Sequence, residues 1–200
     1  MLPSINLNKS LKNDWRLNLK IEGRNSLLKE QLSCSNDSDQ EYLHTDYTLM
    51  AAKRVGFNQL LAAGVMWRYK EDQRILRYLQ QLILIKKYSS FRMAHRFAMD
   101  QTKSQNAPMK FRIRYRTTLA IPLNGTSIDT KEWYIKINSE YLLSIQEEDR
   151  SLEMRLVPLI GFKFSDKNKL ETGIDYRRNE FLSDNPNHTY WLSLKWYLIL

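Results

Sequence analysis

The residues best placed to act together are charges spaced two apart. Lys110, Arg112, Arg114 and Arg116 alternate with Phe111, Ile113 and Tyr115. In an extended chain all four cations therefore project from one face. Lys136, Arg155, Lys163 and Arg177 hold equivalent positions in later segments, and Glu140, Glu153, Glu171 and Asp175 share those faces. Charges of both signs on one side of a sheet support two chemistries. In a closed interior the carboxylates must pair with the cations, because an unpaired buried charge is costly, and the product is a structural ion-pair network. If water fills part of that interior, the surplus of Arg and Lys makes a narrow, anion-attracting pore.

Other chemistry has little to stand on. There is no glycine-rich phosphate loop, no His-Glu-x-x-His, no Gly-x-Ser-x-Gly elbow and only one cysteine, Cys34. His44, His95 and His188 fall in three separate segments, so a metal centre would need chance convergence. Ser139 with His95 is a pair that a lipid hydrolase or acyltransferase would need, but nothing sets it above any other Ser/His pair. No catalytic, metal or cofactor site is expected. The net charge of +9 raises the question of nucleic acid. The cations form no long run, and no helix, finger or ribonucleoprotein signature accompanies them, so no nucleic-acid partner is expected.

The elements that must position these charges are strands. Period-two alternation dominates the chain. Trp133, Ile135, Ile137, Tyr141, Leu143 and Ile145 oppose Lys136, Asn138 and Glu140. Leu152, Met154, Leu156, Ile160, Phe162 and Phe164 oppose Glu153, Arg155 and Lys163. Leu170, Thr172, Ile174 and Tyr176 oppose Glu171, Asp175 and Arg177, and Tyr190 to Leu200 repeats the pattern against Ser193, Lys195 and Tyr197. Trp15 to Ile21 and Phe91 to Met99 alternate likewise. The stretches 42–54, 59–69 and 74–87 read as strands whose faces the pattern leaves open, since Leu82/Leu84 and Ile83/Ile85 are both apolar. Turn signals at Asn13-Asp14, Gly56, Asn106-Ala107-Pro108, Asn124-Gly125, Asp166-Lys167-Asn168 and Asp184-Asn185-Pro186 separate the runs. One long polar connection covers about 25–40 and contains Cys34; within it only Ser26 to Leu32 could make a short helical turn.

These faces predict a closed barrel with lipid outside. No stretch approaches the roughly 20 consecutive apolar residues of a spanning helix. Mean hydropathy is negative, as a barrel permits, because only alternate residues meet lipid. The apolar rows would overfill a small lumen, and they end in Trp15, Trp133, Tyr176, Tyr190 and Trp196, as aromatic girdles do. The alternative is a soluble two-sheet sandwich with an aromatic core. Ten segments run from Asp14 to Leu200; residues 3–10 would make eleven, whereas barrels of one bacterial chain have even counts. That stretch is therefore expected to be less than a full strand, or to follow a missing one. Met1 to Asn6 shows no signal peptide, so the reading expects a trimmed signal or an internal start.

Several motifs carry a family likeness: Lys110-Phe111-Arg112-Ile113-Arg114-Tyr115-Arg116, Tyr134-Ile135-Lys136-Ile137-Asn138-Ser139-Glu140, Arg155-Leu156-Val157-Pro158 before Gly161-Phe162-Lys163-Phe164, and Gly173-Ile174-Asp175-Tyr176-Arg177. With Phe91 to Phe97 and the closing Trp191 to Leu198, their order resembles an uncharacterised outer-membrane β-barrel family of Bacteroidota, known as a domain of unknown function. The resemblance implies barrel and membrane and brings no catalytic residues.

Together these readings predict an all-β chain, a single domain over 1–200. It closes as an antiparallel, up-and-down transmembrane barrel of about ten to twelve strands. It is expected in the cell outer membrane against lipid and lipopolysaccharide. Its expected role is that of a narrow, passive, anion-preferring channel or a structural envelope protein. The alternatives are a lipid-modifying enzyme and a soluble binding module.

Overall fold

The computed structural model describes residues 1–26, 41–70, 73–104, 107–181 and 186–200. They form strands β1 (Leu2–Ser10), β2 (Trp15–Ser26), β3 (Glu41–Gly56), β4 (Gln59–Lys70), β5 (Gln73–Lys87), β6 (Arg92–Ser104), β7 (Ala107–Pro122), β8 (Glu132–Gln146), β9 (Asp149–Ser165), β10 (Asn168–Asn179) and β11 (Asn187–Ile199). No helix occurs among the described residues. Cys34, most of the short turn expected over 26–32, and the turn residues Asn106, Asp184 and Asn185 lie outside the described residues.

Each strand pairs antiparallel with its chain neighbour, and β1 closes the barrel against β11 in parallel. The expected even count does not hold. Residues 2–10 form a full strand, with Ser4 to Ser10 opposite β2 and Leu2 to Asn8 opposite β11. Their short alternation is itself barrel-like: Leu2, Ser4 and Asn6 are buried inward while Ile5 is exposed outward. With eleven alternating strands the first and last run the same way. The seam must therefore be parallel, and Met1 and Leu200 sit at opposite rims.

The wall follows the alternation. Phe111, Ile113, Leu156, Leu192 and Trp196 are exposed outward; Tyr115, Leu119, Phe162 and Leu194 share that face and are half-buried against neighbours. The register resolves the three segments whose pattern left the faces open. Met66 lies opposite Arg77, and Ala62 opposite Gln81, which turns Leu79, Gln81 and Ile83 inward and Leu82 and Leu84 outward.

Between the rims the outer face of the described residues carries no Asp, Glu, Lys or Arg. Some of its polar groups satisfy one another: Gln80 and Gln101 exchange amide hydrogen bonds at 3.3 Å, and Tyr115 Oη lies 2.8 Å from His95 Nδ1. Outward charges return at the strand ends, where Lys53 reaches over Trp15 and Lys86 over Tyr88. Aromatics gather there too. Trp15, Trp133, Phe164 and Trp196 flank the Leu200 rim, and Tyr47, Trp67, Tyr69 and Tyr190 the Met1 rim. From Trp133 to Tyr141 the chain climbs roughly 20 Å, taking ~3.3 Å per residue and a tilt of about 40°. That is close to the roughly 25 Å apolar band of membrane barrels.

Turn chemistry supports the hairpins. Asn13 and Asp14 both have positive φ (57° and 61°) in the tight turn from β1 to β2, the geometry that matches strand twist and that short polar side chains tolerate. Gly125 (φ 69°) lies in the longer 123–131 connection.

Candidate functional site

The inward face has two zones. The first lies at the Leu200 rim, where β8 and β10 begin and β11 ends. Glu171 of β10 is fully buried. Its Oε1 accepts from Tyr134 Oη at 2.8 Å and from Lys136 Nζ at 3.0 Å, and its Oε2 from Lys136 Nζ at 2.9 Å. Lys169 Nζ stands 3.9 Å away. Both ammonium groups also face the Tyr197 ring, at 5.4 and 4.6 Å from its centroid, a cation–π arrangement. Asn138, Ala120, Val157 and Leu159 are buried around this cluster. The Tyr134 ring can lie flat on the wall because the residue opposite it is Gly161: a Cβ there would meet ring carbons at 2.3 to 2.7 Å. Charges and rings pack together here, and this cluster is the floor of the inward face.

The second zone lies toward the Met1 rim and surrounds a cavity of about 600 Å³. Its lining runs from Arg24, Asn179 and Thr189, near that rim, to Asn18, Lys195 and Tyr197 above the floor. Asp100 of β6 is fully buried and serves three guanidinium groups: Arg112 at 2.6 Å, Arg114 at 2.8 Å and Arg77 at 3.6 Å. Asp100 Oδ2 approaches Arg114 off the hydrogen-bond axis, so that contact is charge attraction alone. Glu140 of β8 is 1 % exposed and bonds Arg96 at 2.7 Å and Arg116; Arg155 stands at 3.8 Å. The remaining carboxylates pair singly: Glu153 with Arg155 at 2.6 Å, Asp175 with Arg177 at 2.8 Å, Asp46 with Arg68 at 2.7 Å and Glu22 with Lys20 at 2.6 Å.

The charges singled out from the sequence are thus distributed between the zones. Arg112, Arg114, Arg116, Glu140, Glu153, Arg155, Asp175 and Arg177 stand around the cavity, and Lys136 and Glu171 in the floor. Lys163 has inward parity, but its ammonium turns to the Leu200 rim. It meets Asp166 at 2.8 Å and the carbonyl of Ile128 at 3.4 Å. Hydrogen bonding from Lys163 holds the Asp166 carboxyl in that turn below its ordinary range. Ser139 and His95 share the outer wall, but the register sets Thr117 between them. They stand two strand spacings apart, about 10 Å, and form no dyad. His44 faces inward, 4.0 Å from Asp46, while His188 lies on the outer face against Tyr176.

Sequence reasoning sets Lys20, Glu22, Arg96, Asp100 and Lys195 on polar faces without singling them out as lumen charges, and it misses Asp46, Arg24, Arg68, Arg77 and Lys169 as members of this interior. For Asp100 the signal was present, since it shares parity with Arg92 and Arg96. What the pattern lacks is the cross-strand register, Asp100 opposite Arg112 and Glu140 opposite Arg116, that turns parity into partnership.

No curated protein and no solved structure matches the chain. A family model described as "Protein of unknown function (DUF2490)" matches residues 2–188, from the first residue of β1 into β11. A match over nearly the whole barrel places the chain in that family, and the protein belongs to it.

Proposed function

We propose that the protein is a passive barrel of the outer membrane of Bacteroidota, with its lumen closed at the Leu200 rim by its own side chains. It serves as a structural envelope protein rather than as an open pore. The observation that carries this reading is the floor: Glu171 is fully buried among Tyr134, Lys136 and Lys169, and none of these four residues lines the cavity. A charge-free apolar band between two aromatic sets supports placement in lipid, with lipopolysaccharide and phospholipid as the neighbours of the outer wall. The reading assigns no catalytic step.

Membrane placement is tested by fractionation and by migration on gels with and without heating. The expected result is recovery with outer membranes, dependence on detergent and a shift on boiling. A chain soluble without detergent would contradict it. Unchanged lipid A in a deletion strain is expected; altered lipid A would contradict the non-enzymatic assignment. One observation favours a second reading, a narrow anion conductance: cations outnumber carboxylates around the cavity. Under a salt gradient that reading predicts an anion-selective reversal potential, and cation preference would contradict it.

A further inference from the structure

The cavity toward the Met1 rim is over-supplied with positive charge. Eleven Lys and Arg side chains and four carboxylates line it, and Asp100 and Glu140 stand in its wall. Four acids are matched one to one. Asp100 is shared by three arginines, and Glu140 by Arg96 and Arg116 with Arg155 nearby. Arg24 and Lys195 make no ion pair with a described residue; Arg24 lies over the Trp191 ring at 5.2 Å. Among the described residues five cations are left without a carboxylate of their own. Like charges enclosed in a barrel repel strongly, because surrounding protein screens them less than water does. Such a constellation is stabilised by an anion.

We infer that this cavity is a binding site for a compound carrying two or more phosphate groups. Three features select that class. A phosphate monoester carries about −1.5 to −2 charge at neutral pH, so two of them match five surplus cations where a single carboxylate or chloride does not. The cations are mostly arginines, whose planar donor forks suit phosphate oxygens. Their pairing is incomplete: Arg24 Nε, Arg96 Nε and Arg114 Nε are buried with no hydrogen-bond acceptor among the described residues. A volume of about 600 Å³ admits an inorganic polyphosphate or the phosphorylated headgroup of a larger molecule. The site rests on the closed floor only as its lower wall.

The test uses the full chain refolded in detergent micelles, titrated with inorganic tripolyphosphate by calorimetry and followed by thermal unfolding. Saturable binding is expected, with a rise in Tm beyond that given by sodium chloride or sodium sulfate at equal ionic strength. Lys195→Gln and Arg24→Gln remove cations that pair with no carboxylate among the described residues. Each should weaken tripolyphosphate binding at least about tenfold, while Tm without the anion stays level or rises as repulsion is relieved. Stabilisation no greater than that by matched salt would overturn the inference, as would unchanged affinity in both variants. Competition then assigns the source. Displacement by lipopolysaccharide, but not by its dephosphorylated form, identifies a lipid headgroup; binding undisturbed by lipopolysaccharide identifies a soluble phosphate compound. No bilayer is needed, so a barrel that conducts yet binds tripolyphosphate would refute the floor and leave the site standing.

Discussion

The floor and the cavity are built from the same residue types and differ in stoichiometry. At the floor one carboxylate, Glu171, receives a tyrosine hydroxyl and two ammonium groups whose far sides rest on the Tyr197 ring. Around the cavity Asp100 answers three guanidinium groups, and Arg24 and Lys195 answer to no described carboxylate. In the floor both ammonium groups share the one carboxylate and each faces an aromatic ring. The cavity is lined by more cations than carboxylates. The difference shows that inward charge in a barrel has two uses, and that the ratio of cations to carboxylates separates them.

That contrast predicts unequal responses to substitution. The largest belongs to the floor. Glu171→Ala strands the largely buried Lys136, while Lys169 is 39 % exposed and keeps water, and should lower stability by about 3 kcal/mol, the low end of the range for breaking one side of a buried pair. Urea unfolding in lipid vesicles reads the loss. The wall common to both zones comes next. Leu194 lies on the outer face near the middle of β11, and Leu194→Arg should cost about 2–4 kcal/mol if lipid surrounds it. Unchanged stability in bilayers would show that this face does not meet lipid.

A smaller loss is expected where the floor meets the backbone. Gly161→Ala places a methyl group into the Tyr134 ring. The ring must shift away from Glu171, and overpacking of this kind costs about 1–3 kcal/mol. Tyr134→Ala in the Gly161→Ala background should remove the clash, so non-additivity of the two changes measures the contact. The smallest effect belongs to the cavity. Arg114→Gln leaves Asp100 with Arg112 and Arg77 and relieves repulsion, so stability should change by no more than about 1 kcal/mol. A loss as large as that of Glu171→Ala would erase the distinction between the zones.

Much of this architecture is legible in the sequence because period two is a strong signal wherever one face is apolar and the other charged. From Phe111 to Trp196 that contrast is sharp, and the inward parity of Arg112, Lys136, Glu140, Arg155 and Asp175 follows from it. It fades in β3 to β5 for a physical reason. Ala51 and Ala52, Ala62 and Ala63, and Leu82 to Ile85 give both faces similar polarity, so only the cross-strand register decides which side turns in. Eleven strands fall within the expected ten to twelve; only residues 2–10 differ, where the even-number rule outweighs a short but real alternation. The two-zone division lies beyond any one-strand pattern. It depends on Tyr134 settling on Gly161, which lies on another strand, and on which cations each carboxylate meets across the barrel.

Closure at the Leu200 rim is tested most directly by single-channel recording of the refolded chain in planar bilayers, beside a Tyr134→Ala variant that opens the floor. The account predicts a silent wild-type barrel and discrete current steps from the variant. Steady conductance from the wild-type chain, unchanged in the variant, would contradict it.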